Sequence, residues 1–239
     1  MGGDHDRLTA AEAVSVLGWW IEAGVDIAIQ DRPRAWLGAG ETVAPPPAVE
    51  PSAIEPAHEA IPESLDAFRS WLGATPSLPL AKSGLRRVLP VGAEAAEVML
   101  LTDMPSSEDA ADSQAIGGPA WELTKRMLAA IGFSAEQAYV ASLSCVLSPG
   151  ARLSEKQLEE CAAIARRHIA LAKPKRLLLL GEGPCRALLG KVLPLARGHV
   201  HKVEGVRTVA TFHPRQLLTR PSDKALAWRD LLLLMEDEV

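Results

Sequence analysis

The sequence places one histidine, His213, directly before a proline at the end of a short apolar run. The chain has only six histidines and one tyrosine, so an imidazole at this position is a conspicuous chemical group. In α/β proteins, reactive side chains are commonly displayed where a rigid strand turns into a helix, because the turn leaves the side chain facing a crevice. This position predicts a catalytic or binding role for His213. The alternative is that the His-Pro pair only forms a turn.

Short apolar runs alternate with helical patterns from about residue 64 onward. Strands are predicted at 97–103, 137–143, 175–181 and 206–213, and helices at 64–73, 120–132, 154–173, 184–190 and from about 222. Strands that are apolar throughout and separated by helices are typical of a parallel sheet covered on both faces. We therefore predict an α/β fold, a three-layer sandwich with a mostly parallel sheet of about four strands.

The amino-terminal quarter has a different composition. Residues 7–30 show helical apolar spacing, and Thr9 followed by Glu12 is a capping-box pattern. Residues 38–62 are rich in proline, alanine and glutamate, a composition that buries too little apolar surface to fold alone. We expect an N-terminal helical segment at 1–37, a Pro/Ala-rich linker at 38–63 and the α/β domain at 64–239.

Length and hydropathy are those of a soluble globular protein. The chain has 239 residues, of which 48% are hydrophobic, enough for the core of one α/β domain and an appendage. No apolar run reaches the roughly 18 residues of a membrane span, and the start MGGDHDR lacks the pattern of a signal peptide. These features predict a cytoplasmic protein.

Charge is distributed unevenly along the chain. Residues 151–230 carry 16 lysines and arginines against seven acidic residues, a net charge of +9, whereas residues 1–150 carry a net charge of −11. A basic half on an acidic chain favours one face that meets a polyanion. Charged helix faces alone are the other explanation of the same pattern.

The three cysteines, Cys145, Cys161 and Cys185, are widely spaced and form no CxxC motif. An odd number at such spacing predicts neither a disulfide framework nor a metal site. Buried thiols are the simpler interpretation.

Four stretches of the sequence resemble the uracil-DNA glycosylase superfamily, most closely its iron-sulfur branch. They are LTDMPSSED (101–109), IGGPAWELTKRMLAAIGF (116–133), the segment from Tyr139 to Gly181, and TFHPRQLLTR (211–220). In the iron-sulfur branch, the four corresponding stretches have approximately the following sequences: GEAPGxxED, PFVGxAGxLL, YITNVVKCRPPGNR followed by PKxxxxLG, and TYHPxxLLR. The resemblance spans about residues 68–235 and implies the fold of that superfamily.

The resemblance implies two catalytic residues. His213 falls on the family's His-Pro motif, whose histidine donates a hydrogen bond to the departing base as negative charge develops on it. Asp103 stands in the place of the glutamate of GEAP, with Pro105 retained, and would orient a water or counter the positive charge on the sugar. Asp is one methylene shorter than Glu, and the following loop is one residue shorter. The alternative for Asp103 is a carboxylate that only caps the turn.

The base pocket departs from the family pattern. The family's Pro-Phe pair, whose Phe stacks on the flipped uracil, aligns with Gln114 and Ala115, and its base-reading Asn aligns with Ser142. Base stacking on an aromatic ring contributes about 1–3 kcal/mol, so its loss predicts loose recognition of the base. Trp121 offers an aromatic face nearby, although a core position is the simpler prediction for it.

The cluster ligands of the iron-sulfur branch are mostly replaced. The family's CxxCPL aligns with Thr75, Leu78, Pro79 and Leu80, its third Cys aligns with Val146, and Cys161 keeps the position of the fourth. A cubane cluster requires four thiolates. We therefore expect no cofactor and no metal.

DNA is the expected partner, and the resemblance suggests a monomer. The superfamily inserts side chains into the duplex from the loop after the His-Pro motif, and a basic segment of the iron-sulfur branch faces phosphates. The corresponding residues in this sequence are Arg215, Arg220, Leu217 and Leu218 in the loop, and Arg86 and Arg87 in the basic segment.

Two functions remain open at this point. The first is a DNA glycosylase that flips out uracil or a related damaged base and hydrolyses its N-glycosidic bond, with a relaxed base pocket. The second is a catalytically degenerate relative that binds abasic or damaged DNA, or a repair partner. Retention of His213, Asp103 and Glu108-Asp109 favours the enzyme, whereas loss of the stacking Phe and the Asn favours the binding protein.

Overall fold

The computed structural model describes residues 61–82, 84–148 and 150–236, together with Thr9, Val14, Ser15 and Trp19. Most of the predicted N-terminal helix and nearly all of the predicted linker lie outside the described residues. Val14, Ser15 and Trp19 are helical. No helix in the described residues is both long and apolar enough to cross a membrane.

From residue 61 onward the described chain alternates strands and helices. The strands are β1 (Val98–Thr102), β2 (Ala138–Ser142), β3 (Arg176–Leu180), β4 (Val200–Val203) and β5 (Val206–Thr211). The α-helices are α1 (Leu65–Ala74), α2 (Ser107–Asp112), α3 (Gly118–Ala130), α4 (Glu155–Ala172), α5 (Glu182–Leu189), α6 (Leu193–Ala196), α7 (Pro214–Thr219) and α8 (Lys224–Met235). Short 3₁₀ turns lie at Ala135–Gln137 and Pro221–Asp223.

The strands form one five-stranded sheet in the order β2-β1-β3-β5-β4. β1, β2, β3 and β5 are parallel, and β4 is an antiparallel edge strand paired with β5. The predicted α/β fold with a mostly parallel sheet is confirmed. The fifth strand was not predicted, because its residues VHKV alternate in polarity and lie in one hairpin with β5.

Side chains of the central strands alternate between two apolar layers, as the pleat of a strand requires. Leu101 and Leu179 belong to one core cluster, which also includes side chains of α1, α4 and α5. Leu100 and Leu178 belong to the other, which includes side chains of α3 and α8. A sheet buried on both faces gives the predicted three layers, and its parallel strands all end at one edge.

Local sequence signals fix the helix ends. The Ser154 hydroxyl accepts a hydrogen bond from the Gln157 backbone N–H at 3.3 Å, and the Gln157 side chain accepts one from the Ser154 N–H at 3.0 Å. This reciprocal capping box satisfies two donors at the start of α4. At the start of α2, Ser106 and Asp109 form the same arrangement, which places a buried carboxylate beside the carboxyl edge of the sheet.

Candidate active site

Asp103 and His213 follow two strands that flank β3 at the carboxyl edge of the sheet. Asp103 comes directly after β1, and His213 lies two residues after β5. The register pairs Leu101 with Leu179 and Leu180 with Thr211, so the three strands end together. Adjacent strands lie about 4.8 Å apart, so the backbones of β1 and β5 are about 10 Å from each other. The fold therefore brings the two predicted residues to the same edge of the sheet.

Both side chains lie against the turn between β3 and α5. A Cβ at Gly181 would lie 3.5 Å from the Cβ of His213, and a Cβ at Gly183 would lie 2.7 Å from Oδ2 of Asp103 and closer still to its Oδ1. Asp103 and His213 thus both border the junction between β3 and the first turn of α5. The backbone at Gly183 approaches the carboxylate more closely than any residue with a side chain would allow.

The Asp103 carboxylate is held by backbone N–H groups. Its Oδ1 accepts a hydrogen bond from the Met104 N–H at 3.0 Å, and the Gly183 N–H at the start of α5 also donates to the carboxylate. Burial raises the pKa of Asp103 above its ordinary value of 3.8, the two backbone hydrogen bonds lower it, and the nearby Glu182 raises it. The site therefore contains a carboxylate with a fixed orientation and little solvent around it.

The His213 ring has a defined tautomer. Its Nδ1 accepts a hydrogen bond from the Arg215 N–H at 3.1 Å, which caps α7. A backbone N–H can only donate, so Nδ1 carries no proton and the neutral ring carries it on Nε2. Burial, and then the Arg215 charge, lower the pKa of His213 from 6.5 to about 4, although Asp109 opposes the shift. At neutral pH the side chain is an uncharged donor.

The end of β5, just before His213, is fixed by an ion pair. The Asp230 side chain of α8, 1% exposed, accepts hydrogen bonds from Arg197 Nε and from Thr211 Oγ1, each at 2.8 Å. The Arg197 guanidinium also lies 4.0 Å from the centroid of the Phe212 ring. These contacts hold Thr211 and Phe212, and through them the backbone that carries His213.

A second buried carboxylate connects the loops on either side of the site. Asp109 is fully buried and accepts hydrogen bonds from the Ser106 N–H at 2.8 Å, from the Gly117 N–H at 2.5 Å and from the Arg215 guanidinium. Arg215 Nε also lies 3.9 Å from a carboxylate oxygen of Glu108. Arg215 is therefore paired within the protein, and it joins α7 to the start of α2.

The predicted base-pocket residues differ in their exposure to solvent. Ala115 is 2% exposed and packs in the apolar core, so little of its side chain is open to a base. Gln114 is exposed and Pro105 is buried. Trp121 packs against the same core as Ala115, in agreement with the simpler prediction for it.

Ser142 lies at the end of β2, where the register pairs it with Thr102, the residue before Asp103. Its Oγ is buried and has no hydrogen-bond partner among residues 61–236 that are described. It lines a cavity of about 20 Å³ together with residues of α4, among them Cys161 and His168. Neither Asp103 nor His213 lines this cavity, although the Asp103 charge contributes to the raised pKa of Cys161, which does.

Some of the predicted DNA-contact residues are exposed to solvent, and others are buried. Arg220 is exposed, and Leu218 is 42% exposed. Leu217 is 1% exposed, whereas a side chain that acts as a wedge must be free to enter the duplex. Leu218 is therefore the leucine of α7 that can contact a partner.

The two arginines of the predicted basic segment form hydrogen bonds within the protein. Arg87 donates to the carbonyls of Leu72 and Thr75, each at 2.6 Å, at the end of α1. Arg86 is exposed and donates to Ser113 Oγ at 3.1 Å. Arg87 thus caps a helix, whereas Arg86 remains at the surface.

The residues around Cys161 do not fit an iron-sulfur cluster. Leu78 and Pro79 line the same small cavity as Cys145 and Cys161, so apolar side chains stand where the branch has thiolate ligands. Burial raises the pKa of Cys145 to about 11 and that of Cys161 to about 12, which keeps both thiols protonated. In the described part of the chain, no three His, Cys, Asp or Glu side chains form a group that could hold a metal ion.

Gly183, Asp230 and the Asp109–Arg215 pair are site residues that the sequence analysis missed. A single acid within the apolar stretch WRDLLLL was a usable signal for Asp230, since a charge that faces a core needs a partner. Gly183 looks like an ordinary residue at a helix start. No local pattern connects Asp109 with Arg215, which lies 106 residues away in the chain.

Comparison with known proteins agrees with this geometry. The family model described as "Uracil DNA glycosylase superfamily" matches residues 89–232, a range that includes both Asp103 and His213. A curated relative, the "Type-4 uracil-DNA glycosylase" of Archaeoglobus fulgidus, is 25% identical over 170 residues, which cover 66% of this chain and 85% of the relative.

Proposed function

Because this chain belongs to the uracil-DNA glycosylase superfamily, we propose that it hydrolyses the N-glycosidic bond of uracil, or of a related damaged base, in DNA. The observation that carries the proposal is the hydrogen bond from the Arg215 N–H to His213 Nδ1, which leaves the proton on Nε2. A neutral imidazole that can only donate at its free nitrogen is suited to a leaving base that becomes an anion.

His213 stabilises the departing base in this mechanism. As the bond to the sugar breaks, negative charge develops on the base oxygen, and Nε2–H donates a hydrogen bond to it. Because the pKa of His213 is about 4, the ring does not need to lose a proton at neutral pH before it can act. Removing a donor of this kind raises the barrier by about 3–4 kcal/mol.

Asp103 acts on the sugar side of the same bond. The transition state carries positive charge on the deoxyribose, and an ionised carboxylate beside the sugar counters that charge or orients the attacking water. The water oxygen bonds to the anomeric carbon, and one of its protons balances the base anion that leaves. The backbone N–H groups of Met104 and Gly183 hold the carboxylate for either role.

The target base has to leave the duplex before it reaches this edge. Bases inside a stack are inaccessible to side chains on a folded domain, so enzymes of this type rotate the nucleotide out. Arg220 and Leu218 lie at the end of α7, immediately beyond His213, and both are exposed. We assign them to the DNA contact that accompanies base flipping, with Arg86 as a further surface contact.

Base recognition is loose in this proposal. Ala115 offers no aromatic face, and Ser142 offers only a short hydroxyl, which has no hydrogen-bond partner among the described residues. The energy that stacking would contribute, about 1–3 kcal/mol, is missing. We therefore expect only modest discrimination between uracil and other damaged pyrimidines.

The same two observations favour the second candidate, a protein that binds damaged or abasic DNA without cutting it. A relative without a stacking residue and without a base-reading amide retains the fold and the DNA-facing loop but not base recognition. The two candidates differ in one property, the formation of an abasic site.

The deciding experiment uses the full chain and a duplex oligonucleotide with one uracil opposite guanine. After incubation, alkali converts any abasic site into a strand break, and the fragments are separated on a denaturing gel. We expect fragments at the uracil and none from an identical duplex with thymine. Tight, salt-dependent binding to an abasic duplex without fragments from the uracil duplex would support the binding protein instead.

A further inference from the structure

An apolar groove open to solvent lies between α3 and α8, with Leu217 of α7 in its lining. Its volume is about 190 Å³. On the α3 side, the lining consists of Leu123, Arg126, Met127 and Ala130. Asp103 and His213 do not line the groove, and the proposed function makes no use of this surface.

The two helices present the same residue spacing to the groove. The four lining residues of α3 stand at positions i, i+3, i+4 and i+7. Those of α8 repeat the spacing, and they are Lys224, Ala227, Trp228 and Leu231. Residues at this spacing lie on one face of a helix, over about 10 Å of its length. Two such faces side by side form a trough of the kind in which a third helix packs.

Several apolar side chains of α8 are exposed to solvent. Trp228 is 42% exposed, and Leu226 and Leu232 are 39% and 44% exposed. A helix with apolar residues on nearly all of its faces is normally covered on more than one side. The core covers Ala227 and Leu231, which are buried. The remaining apolar surface of α8 is left partly open by the described residues.

Two exposed cations, Arg126 and Lys224, belong to the groove, whose described lining contains no acidic residue. The acids nearest to them in the sequence are engaged elsewhere. Glu122 forms an ion pair with Lys125 at 2.7 Å, and Asp223 accepts a hydrogen bond from a side chain of α7 at 3.2 Å. Neither cation forms an ion pair with a described residue. The groove is therefore complementary to an occupant that is apolar at its centre and acidic at its flanks.

The composition of the groove argues against two other occupants. A second copy of the chain in a two-fold arrangement would place the groove against itself, and the described lining offers its cations no acid. A nucleic acid is bound mainly through its phosphates, whereas seven of the nine lining residues are apolar. A protein segment with acidic residues fits both the apolar lining and the two cations.

We propose that this groove binds an amphipathic helix of a partner protein, which places its apolar face in the groove and carries acidic residues along its flanks. Its apolar side chains pack against Met127 and Trp228, two residue types that are enriched in protein interfaces. Its carboxylates pair with Arg126 and Lys224. This interaction goes beyond the proposed base excision and does not depend on it.

The first test measures the binding of two synthetic peptides to the full chain by fluorescence anisotropy. The first peptide repeats leucine at positions i, i+3, i+4 and i+7 and has glutamates on its other face. The second has lysines in place of the glutamates. We expect the glutamate peptide to bind the wild type at least about tenfold more tightly than the lysine peptide, because the two cations attract only the first.

The second test locates the peptide in the groove. Ala130→Glu places a carboxylate in the lining, where it repels the glutamate peptide and would be buried by the peptide's apolar face. This variant should bind the glutamate peptide at least about tenfold more weakly than the wild type. The matched control is Ala129→Glu, the same substitution at the adjacent exposed alanine outside the lining, and it should keep the wild-type affinity. Both variants should unfold at the wild-type temperature, which verifies that each folds.

Equal affinity of the two variants for the glutamate peptide would overturn the proposal, and so would binding of the lysine peptide as tight as that of the glutamate peptide.

Two further results would assign the groove to another occupant and would also overturn the proposal. The first is a wild-type dimer in analytical ultracentrifugation that Ala130→Glu dissociates and Ala129→Glu does not, which would indicate a second copy. The second is a loss of affinity for an undamaged duplex in Ala130→Glu alone, which would indicate a nucleic acid. None of these measurements uses the uracil assay, so the failure of the helix-binding proposal can be told apart from the failure of the proposed function.

Discussion

At the residue scale, burial acts on Asp103 and His213 in the same sense, toward the uncharged form. It raises the pKa of the carboxyl and lowers that of the imidazole. For the imidazole, the uncharged form is the one that the proposed mechanism uses. For the carboxyl, the ionised form is required, and two backbone hydrogen bonds partly restore its stability.

This pattern predicts the pH dependence of base excision. Well above the pKa of His213, which is about 4, the ring is neutral and the rate should not increase as the pH is lowered from 7. As the pH falls toward 4, Asp103 takes up a proton above its ordinary pKa, and His213 gains a second proton at Nδ1 that displaces the Arg215 N–H. The rate should therefore fall. Single-turnover rates between pH 4 and pH 8 test this, and a rate that rises from pH 7 to pH 5 would contradict it.

Gly183 allows a direct test of the carboxylate's position. In Gly183→Ala, the new methyl group would overlap the Asp103 carboxylate, so either the side chain or the start of α5 must move. We expect the excision rate to fall at least about tenfold, since small displacements of catalytic groups reduce rates strongly. The measurement is the single-turnover rate at saturating enzyme.

The matched control for this change is Gly73→Ala in α1, where a Cβ would meet only the Leu89 side chain at an ordinary distance of 3.7 Å. This variant should keep the wild-type rate and gain up to about 1 kcal/mol of stability, as alanine does in a helix. Equal rates for both glycine variants would show that the approach of Gly183 to Asp103 does not matter for catalysis.

Sequence alone could indicate His213 and Asp103 because each ends an apolar strand in a recognisable motif. It could not indicate Gly183 or the partner of Arg215. Those assignments depend on which loops lie close together in the folded protein. The motif residues themselves do not indicate which distant residues they contact. The burial of Leu217 was missed for a related reason, since adjacent leucines on a short helix differ only in the face that they present.

At the element scale, α7 is tied to α2 by the Asp109–Arg215 ion pair. Asp109 is fully buried, so removing its cationic partner leaves a buried charge. Breaking such a pair typically costs 3–5 kcal/mol, and the partial exposure of Arg215, 32%, puts it at the low end of this range. This tie holds the loop that carries His213.

Arg215→Ala should therefore lower the free energy of unfolding by about 3 kcal/mol and slow base excision. The paired comparison is Arg220→Ala, five residues further along the chain and exposed. This second variant should change stability by less than about 0.5 kcal/mol and reduce the salt slope of DNA binding by about 1. Urea unfolding and fluorescence anisotropy measure the two effects. Equal stability of the two variants would contradict the role of Arg215.

A second tie joins α1, β2 and α4 on the other face of the sheet. Tyr139 Oη lies 2.7 Å from His168 Nε2, and Arg69 Nε donates to the same hydroxyl at 3.2 Å. His168 is 3% exposed, and burial, followed by the Arg69 charge, lowers its pKa to about 3. The folded protein therefore keeps this ring neutral.

The sign of the resulting pH effect on stability follows from linkage. Below the ordinary pKa of 6.5, unfolded chains bind a proton at His168 that the folded protein excludes until about pH 3. The stability from this group is present above pH 6.5 and falls as the pH decreases below it. In His168→Gln this contribution is absent, while an acceptor for Tyr139 remains.

We expect His168→Gln to be less stable than the wild type by about 1–3 kcal/mol at pH 7 and by less at pH 5. Urea unfolding at the two pH values measures the difference, with His199→Gln, an exposed histidine, as the control. A stability difference that grows from pH 7 to pH 5 would contradict a buried neutral His168.

The longer elements could be predicted from periodicity and caps, and the shorter ones could not. The helix predicted at 154–173 matches α4, and the strand predicted at 175–181 matches β3. α2, α6 and α7 have only four to six residues, too few for a helical apolar period to show. Their positions are set by Ser106, by Pro194 and by the His-Pro pair rather than by any repeat.

At the scale of the whole molecule, the sheet presents two chemically different edges. The carboxyl edge carries Asp103, His213 and the exposed end of α7. The amino edge carries several basic residues, among them Lys202 and Arg207. The net charge of +9 on residues 151–230 contributes to both, through Arg215 and Arg220 at one edge and Lys202 and Arg207 at the other. The charge pattern of the sequence predicted a polyanion-binding face without indicating that basic groups would lie at two edges.

The three-layer architecture could be inferred from the sequence because four mainly apolar runs alternate with helices, which is typical of a sheet covered on both faces. That Asp103 and His213 would lie at one edge of the sheet also followed, since parallel strands end together. What the sequence did not show is that Ala115 fills the core and that Ser142 borders a small cavity, because a small residue at an aligned position looks the same in either place.

The central claim is that His213 acts as a neutral hydrogen-bond donor to the departing base. The most direct measurement is the single-turnover excision rate of a uracil-containing duplex by the wild type, by His213→Ala and by His199→Ala, an exposed histidine that serves as the control. We predict that His213→Ala is slower by about 10²–10³-fold and that His199→Ala matches the wild type. An excision rate for His213→Ala within a factor of about three of the wild-type rate would contradict the account.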